Sequence, residues 1–278
     1  MSVNSHPLEK TAQHIGESID WATVRCDVPT APELENGWVR CADADSIFIA
    51  EWEDAVTTML LRDFQRHHRA ASTSYVLDWY AAIPGYLGGL SFALANRVPR
   101  LDRPSLFFHR HPQHAYPDGL ALARPEFWCL ASDPDATHPD ATVVASAHHL
   151  AAVLRQQVSA HARDFLAAYE PRVRIPRRHR LGAFFDGLDT ALSMARTTPA
   201  EAIELGHVVL PKDTTDFPFG STLYRVHDAQ GREHLTRTRV SCCYYFKVSD
   251  GGIACATCPR TSAAERAERV VAFAGGDD

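Results

Sequence analysis

The sequence lacks several features that would assign a protein to a large functional class at once. The amino terminus has no basic segment followed by an apolar stretch, so we expect no secretory signal. No glycine-rich phosphate loop and no G-x-G-x-x-G motif after a strand is present. A bound nicotinamide or flavin is therefore not expected. Internal repeats and low-complexity tracts are also missing.

An excess of positive charge is missing too. The chain has 28 Lys and Arg residues against 34 Asp and Glu, a net charge of −6 and a pI near 6.2. This acidic balance argues against nucleic acid as the main partner. The 278 residues, 45% of them hydrophobic, suffice for one substantial core or two modest ones.

Long hydrophobic runs are scarce. The longest uncharged stretch covers residues 79–96, is marginal in length for a bilayer span, and contains Pro84 and three glycines. We interpret it as a buried pair of helices with a break near Pro84, because proline disrupts a helix interior. Contact with a membrane surface remains an alternative.

The apolar periodicity predicts an α+β protein dominated by helices, with a small antiparallel sheet. Helices are predicted over residues 8–15, 47–64, 145–169, 181–192, 199–207 and 262–273, the last opened by a capping box of Ser262 and Glu265. Strands are predicted over residues 105–109, 120–122, 127–130 and 221–226. We divide the chain into a polar, loosely packed lead-in (1–45), an α+β body (46–210) and a metal-binding region (211–278).

Seven cysteines without an export signal indicate a reducing compartment, where thiols stay free or bind metal. Three are scattered and are interpreted as small buried hydrophobic residues: Cys26, Cys41 and Cys129. The other four form a Cys-Cys pair, an eleven-residue loop and a Cys-x-x-Cys unit: Cys242, Cys243, Cys255 and Cys258. These four are the candidate metal ligands.

The spacing of these cysteines leaves the metal open. A Cys-x-x-Cys unit places two thiolates on one turn, as in many zinc sites. Cys242 and Cys243 point to opposite faces of an extended chain, which suits two separated irons better than one zinc ion. No histidine lies between Cys242 and Cys258, so a Rieske-type ligand set is not available locally. Structural zinc remains an alternative, and a vicinal disulfide is a strained one.

The string RVSCCYYF…GGIACATCPR resembles the carboxy-terminal signature of the FhuF-like ferric-siderophore reductases. The matching residues are Arg239, Cys242, Cys243, Cys255, Cys258 and Pro259. The resemblance implies that the four cysteines ligate a [2Fe–2S] cluster. The chain departs from the family in having Phe185-Asp186-Gly187 where a Trp-Gly pair is expected.

The resemblance also implies a function. The protein would reduce a ferric siderophore, of the hydroxamate type, by one electron through the cluster and so release Fe(II). The body (46–210) would bind the siderophore, and a ferredoxin or flavoprotein reductase would be the separate electron donor. The location would be the cytoplasm, with peripheral contact at the inner membrane as an option. Alternatives are a non-catalytic zinc protein and an iron–sulfur electron carrier or redox sensor.

Beyond the cluster the sequence indicates no catalytic residue. Arg237, Arg239 and Lys247 flank the cysteines and are candidate substrate-binding residues. Tyr244 and Tyr245 are expected to pack around the cluster. The histidine-rich residues 109–114 are interpreted as polar surface or pocket lining. The basic residues 176–180 are interpreted as solvated surface, with contact to an anionic chelate or to lipid head groups as the alternative.

Overall fold

The computed structural model describes residues 5–195 and 198–274. It confirms an α+β protein dominated by helices. The helices are α1 (Pro7–Ser18), α2 (Ala31–Glu35), α3 (Ser46–Phe64), α4 (Arg69–Ala95), α5 (Ala147–Ala168), α6 (Arg177–Met194), α7 (Pro199–Val209) and α8 (Ala263–Ala274). The strands are β1 (Thr23–Arg25), β2 (Trp38–Arg40), β3 (Arg97–Pro99), β4 (Leu106–Arg110), β5 (Pro117–Leu122), β6 (Phe127–Leu130), β7 (Ala141–Val144), β8 (Leu223–His227) and β9 (Glu233–Arg237).

The longest uncharged stretch lies inside α4, the central helix of the body. The predicted break near Pro84 is wrong, because α4 runs through Pro84 as one helix of 27 residues. Nearly every turn of α4 is buried on all sides, so packing offsets the hydrogen bond that proline removes. Among the described residues, no helix combines the length and apolar character needed to cross a membrane.

The strands form three small sheets, mixed and antiparallel, where the sequence predicted a small antiparallel sheet. The four-stranded sheet has the order β1-β5-β4-β2, with β1 parallel to β5 and the other pairs antiparallel. Strand β6 lies in a second sheet, between antiparallel β3 and parallel β7. Strands β8 and β9 form a separate hairpin. Apolar patterns locate strands but do not choose their partners, which tertiary packing decides.

Residues 5–45 are packed against the body, contrary to the loosely packed lead-in that the sequence predicted. Leu8 and Ile15 of α1 are completely buried. Strands β1 and β2 form the two edges of the four-stranded sheet. Residues 1–4 of this region lie outside the described residues. The division of the chain into three regions stays a prediction.

Helices α4 and α6 approach each other so closely that their backbones touch. A Cβ atom on Gly85 would lie 2.6 Å from the carbonyl carbon of Gly187, and one on Gly187 would lie 2.9 Å from the carbonyl oxygen of Ala81. Only glycine fits at such contacts. The contact fixes the two helices that carry the anchors of the cysteine segment described below.

The carboxy-terminal part follows the predicted order of elements. The amide of Gly231 donates to the carbonyl of Asp228 at 3.0 Å, which closes the turn between β8 and β9. The capping box of α8 is confirmed. The Ser262 amide donates to the Glu265 carboxylate at 2.7 Å, and the Glu265 amide donates to the Ser262 hydroxyl at 3.2 Å.

Candidate metal centre

Residues 239–260, hereafter the cysteine segment, are anchored to α6 by one buried carboxylate. The Asp186 carboxylate accepts hydrogen bonds from the amides of Val240 (2.9 Å) and Ser241 (2.8 Å) and from the Ser241 hydroxyl (2.5 Å). It also accepts one from the Arg237 guanidinium at 3.1 Å. The segment runs so close to α6 that a Cβ atom on Gly182 would lie 2.7 Å from Val240. Asp186 thus sets where the Cys-Cys pair begins.

Arg239 completes this anchor from the other side. Its guanidinium lies 2.5 Å from the carboxylate of Asp78 on α4 and 3.6 Å from that of Asp186 on α6. Burial alone lowers the pKa of Arg239, but the charges of the two carboxylates outweigh it and raise the pKa well above its usual value. Burial raises the pKa of Asp78, and the attraction of Arg239 offsets only part of that effect. Arg239 therefore stays charged and ties the segment to both helices.

The two halves of the cysteine segment fold back on each other, as the sequence predicted. The Arg239 amide donates to the Thr257 carbonyl at 3.0 Å. Gly251 and Gly252 have φ values of 65° and 70°, the left-handed region that glycine adopts without strain. The Gly252 amide donates to the Ser249 carbonyl and closes this turn. The fold-back brings the Cys-x-x-Cys unit to the Cys-Cys pair.

The closest sulfurs come one from each half. The Sγ atoms of Cys243 and Cys255 lie 3.7 Å apart. The contact between the two sulfurs, aided by the charge of Arg239, lowers the pKa of Cys243 despite burial. The same contact and burial raise the pKa of Cys255. Two thiolates on one tetrahedral metal at about 2.3 Å lie about 3.8 Å apart, so this pair has the spacing of two ligands of one metal atom.

The four cysteine thiols do not all converge on a single point. Among the described residues, His6, His138 and Asp140 form a group of three metal-binding side chains whose donor atoms lie within 4.8 Å of one another. No three of the four cysteine sulfurs lie that close together. Four thiolates around one zinc ion would all lie within about 3.8 Å of one another. The spread of the cysteine sulfurs therefore favours a centre with more than one metal atom.

The group of His6, His138 and Asp140 has an explanation without a metal. Nδ1 of His6 accepts a hydrogen bond from the Leu8 amide, and Nδ1 of His138 accepts one from the Asp140 amide. Each neutral imidazole then carries its proton on Nε2 and is a donor there. Nε2 of His6 lies 3.4 Å from the Asp140 carboxylate. We interpret the group as a polar contact that fastens α1 to the loop before β7.

A cavity of about 400 Å³ opens beside the Cys243–Cys255 pair. Both cysteines line it, together with Tyr245 and four charged residues that pair with one another: Asp78, Asp186, Arg237 and Arg239. The cavity lies between α4 and α6, and Thr190 and Tyr86 line it further from the sulfurs. A molecule bound here would lie directly against one side of the metal centre.

A second cavity of about 300 Å³ adjoins the first. The two share the wall formed by Trp79, Ala82 and Tyr86. The second cavity is mainly apolar and aromatic, and its Trp21 and Tyr116 rings lie against Tyr86 and Trp79 of that wall. We refer to the two adjoining cavities together as the cleft, with a polar end at the cysteines and an aromatic end at β5.

The opposite side of the cysteine segment is exposed. The amide of Arg260 donates to Sγ of Cys258 at 3.4 Å. The Arg260 guanidinium lies over the rings of Tyr244 and Phe246. Cys242 and Cys258 are both buried beneath this surface and do not line the cavity. The segment therefore has a cavity side and an outer side.

The predicted substrate-binding residues are divided between these two sides. Arg237 and Arg239 line the cavity. Lys247 is exposed and lies with Nζ 5.3 Å from the Phe246 ring, on the outer side. Tyr245 lines the cavity, whereas Tyr244 lies on the outer side, stacked on His68. The roles of these residues stay predictions.

The remaining predicted segments lie elsewhere. His109 bonds to Asp118 at 2.5 Å in the four-stranded sheet, and residues 176–180 form the start of α6. Of the scattered cysteines, Cys41 and Cys129 are fully buried and Cys26 is half-buried.

Sequence reasoning missed the two anchoring carboxylates. Asp186 was noticed as a departure from the family pattern, and Asp78 was not singled out. Both lie within apolar stretches of buried helices, and a buried carboxylate requires a partner. The same need for a partner, applied to Arg237 and Arg239 near the cysteines, indicates that buried carboxylates should lie beside them.

Residues 239–260 match the family model described as FhuF 2Fe-2S C-terminal domain. The cysteine segment is therefore similar to this domain. No curated protein matches the chain. The cofactor of a FhuF-type domain is a [2Fe–2S] cluster, so the chain is an iron–sulfur protein.

The residues present fit a [2Fe–2S] cluster. The FhuF-type domain supplies four cysteine thiols, which is the usual ligand set of such a cluster. One pair already has the spacing of two ligands on one iron, and the four do not converge on one ion. Backbone amides around the sulfurs add hydrogen bonds of the kind that tune cluster potential.

Proposed function

We propose that the protein is a ferric-siderophore reductase that binds a ferric chelate in the cleft between α4 and α6 and gives it one electron. The observation that carries the proposal is the cavity beside Cys243 and Cys255. A chelate there would lie against the sulfurs with no intervening layer of protein. The adjoining aromatic cavity offers room for the organic part of the ligand.

We assign the four ligands in two pairs. Cys243 and Cys255 would hold the iron that faces the cavity, and Cys242 and Cys258 would hold the other. The cluster supplies one-electron redox chemistry when bound. The surrounding residues position the ligands: Asp186 fixes the Cys-Cys pair, and the network of Asp78, Arg239 and Ser241 holds the segment against α4 and α6.

Loss of one electron from the protein and its gain by the chelate converts Fe(III) to Fe(II). Hard, anionic oxygen ligands hold Fe(III) more tightly than Fe(II), because the higher charge attracts them more strongly. The reduced iron therefore leaves the siderophore without destruction of the ligand. The protein's part is to hold the chelate close to the electron source.

The charges around the cavity support a hydroxamate-type chelate. The two arginines that line it are already paired with Asp78 and Asp186, so no free cation is left to attract an anion. The four-thiolate cluster adds negative charge. Ferric hydroxamates are neutral or cationic, whereas ferric catecholates are highly negative, so the cleft favours the first class.

The direct test mixes the chemically reduced protein with a ferric hydroxamate in the presence of a ferrous trap, without oxygen. We expect ferrous iron to appear as the protein is reoxidised, with a ferric tris-catecholate reacting more slowly. Reduced protein that stays reduced and releases no ferrous iron would indicate an electron carrier or a redox sensor instead.

A variant of the cleft tests the location. Replacing Trp79 with Ala removes the wall that both cavities share, and we expect chelate affinity to fall by about 10-fold or more, the loss typical of a buried aromatic contact. Trp38→Ala is the matched control, since Trp38 packs on His109 away from the cleft. Equal affinity in both variants would place the chelate elsewhere.

A further inference from the structure

We propose that the outer side of the cysteine segment is the docking surface for an acidic protein that carries one electron at a time. The surface consists of Tyr244, Phe246, Lys247 and Arg260, hereafter the outer face. The proposal rests on the proposed function, since the chelate would occupy the opposite side. It assigns a place at which electrons reach the protein.

The two sides of the segment adjoin different cysteines. Cys243 and Cys255 line the cavity, where the chelate would block access for a second macromolecule. The outer face adjoins the other two: the Arg260 amide donates to Cys258, and the Arg260 charge acts on Cys242. Electrons can therefore arrive on one side while the chelate is bound on the other.

The outer face has an apolar centre. Tyr244 and Phe246 are half-buried with their rings stacked 6.2 Å apart. Such partly exposed aromatic side chains next to a redox centre suit a partner that must approach closely. The Arg260 guanidinium covers both rings at 5.3 to 5.7 Å, so the centre is bordered by positive charge.

The border of the outer face is basic in a chain that is acidic overall. Lys247 and Arg260 belong to the face, Arg66 bonds to the carbonyl of Ser249 beside it, and the Arg260 charge reaches His179 at the start of α6. The acidic side chain in contact with this border, Asp250, lies 3.9 Å from Arg66 and is 94% exposed. A cluster of exposed cations around an apolar centre complements a partner with a negative surface.

The electron balance is simple. The carrier is oxidised by one electron when it leaves, and the protein is reduced by one. The protein returns to its first state when it reduces one Fe(III) to Fe(II) in the cleft. No proton or bond is exchanged with the carrier, so the docking surface needs proximity and charge complementarity only.

A basic surface would also attract anionic lipid, so the test separates the two. The variant pair Arg66→Glu with Lys247→Glu reverses two exposed charges without changing any residue next to a cysteine. Arg124→Glu, on the exposed loop after β5, is the matched control. The probe is a reduced, acidic plant-type [2Fe–2S] ferredoxin. The readout is the absorbance change of the protein's cluster in a stopped-flow instrument, separated from the opposite change of the ferredoxin cluster by spectra recorded for each protein alone.

We expect the rate constant with ferredoxin to fall by about 10-fold or more in the double variant at low salt, and the difference to vanish near 0.5 M salt, where charges are screened beyond roughly 4 Å. Binding of oxidised ferredoxin, measured by titration, should weaken in parallel. The rate constant of the variant Arg66→Gln with Lys247→Gln should lie between those of the wild type and the charge-reversed double variant. Bleaching by dithionite, which needs no docking surface, should be unchanged in every variant.

Three results would overturn the proposal. One is a wild-type rate with ferredoxin in the double variant, and another is an equal loss in Arg124→Glu. The third is reduced binding to vesicles of anionic lipid with the ferredoxin rate unchanged, which would make the surface a membrane contact. Failure of the proposed function is distinguishable, because it would appear as dithionite-reduced wild-type protein that does not reduce the chelate, whatever the ferredoxin rate.

Discussion

The helical body and the cysteine segment are held in place by different forces. In the body, aromatic and aliphatic side chains pack densely around α4, as in the stack of Tyr80 on Phe165 at 3.8 Å. The cysteine segment has two short 3₁₀ turns and is tied down mainly by Asp186, Asp78 and Arg239. Many weak apolar contacts stabilise the body, whereas a few polar groups stabilise the cysteine segment. We therefore expect the cysteine segment to unfold before the helical body does.

The largest expected effect comes from the cysteines. We expect Cys243→Ser to remove most of the iron and visible absorbance, because losing a ligand costs more affinity than the roughly 10–100-fold typical of a supporting hydrogen bond. Iron and sulfide content per chain measure the effect. Cys129→Ser, buried in β6 of the body, should keep the cluster spectrum. An unchanged spectrum in Cys243→Ser would show that the ligand assignment is wrong.

The next prediction compares a polar anchor of the cysteine segment with an apolar core residue on the same helix, α6. Asp186→Ala leaves Arg237 without its carboxylate and Arg239 with Asp78 alone, and we expect a loss of about 3–5 kcal/mol in the free energy of unfolding, with loss of the cluster. Leu188→Ala, fully buried two residues on, should cost a similar 2–5 kcal/mol but keep the cluster. Denaturant unfolding and iron content are measured on both. A retained cluster in Asp186→Ala would remove the distinction between segment and body.

The body has a pH dependence of its own. Burial lowers the pKa of His161 from 6.5 to about 4, with Nδ1 donating to the Leu101 carbonyl at 2.7 Å. The folded state then binds fewer protons than the unfolded state between these values, so stability is complete above pH 6.5 and falls as the pH drops to 4, by about 3 kcal/mol. Denaturant unfolding at several pH values measures the slope. His161→Gln should flatten it, and an equal slope in that variant would place the titrating group elsewhere.

The smallest effect concerns the contact between α4 and α6. Gly187→Ala forces a Cβ atom to within 2.9 Å of the Ala81 carbonyl oxygen, and we expect about 1–3 kcal/mol of destabilisation with some loss of iron. Gly16→Ala on α1 is the matched control, because nothing lies within 4 Å of its Cβ position. That variant should gain about 0.5–1 kcal/mol from helix propensity. Thermal unfolding distinguishes the opposite signs.

Local patterns predicted the elements of the body and the content of the site. The apolar stripes gave α3, α5, α6 and α7 nearly to their ends, and the cysteine spacing with its family resemblance gave the cluster. These signals are encoded within short stretches of the chain.

What the sequence did not predict depends on contacts between distant residues. The passage of α4 through Pro84 needs the packing around it, and the membership of β6 in a second sheet needs β3 and β7 beside it. The anchor joins residues 78, 186 and 239, which lie on three separate elements. The cleft likewise takes its aromatic end from Trp21 and Tyr116, far apart in the chain.

The glycine contact between α4 and α6 has a consequence for the speed of electron movement. Asp78 lies on α4 and Asp186 lies on α6. The backbones of these two helices touch at Gly85 and Gly187, which restricts movement of one helix along the other. The charges around the sulfurs are therefore set in advance and need little rearrangement when an electron arrives or departs. A polar environment that does not have to reorganise lowers the barrier of a charge-changing step. In the proposed function, Gly85 and Gly187 would thus help to lower the barrier to electron transfer.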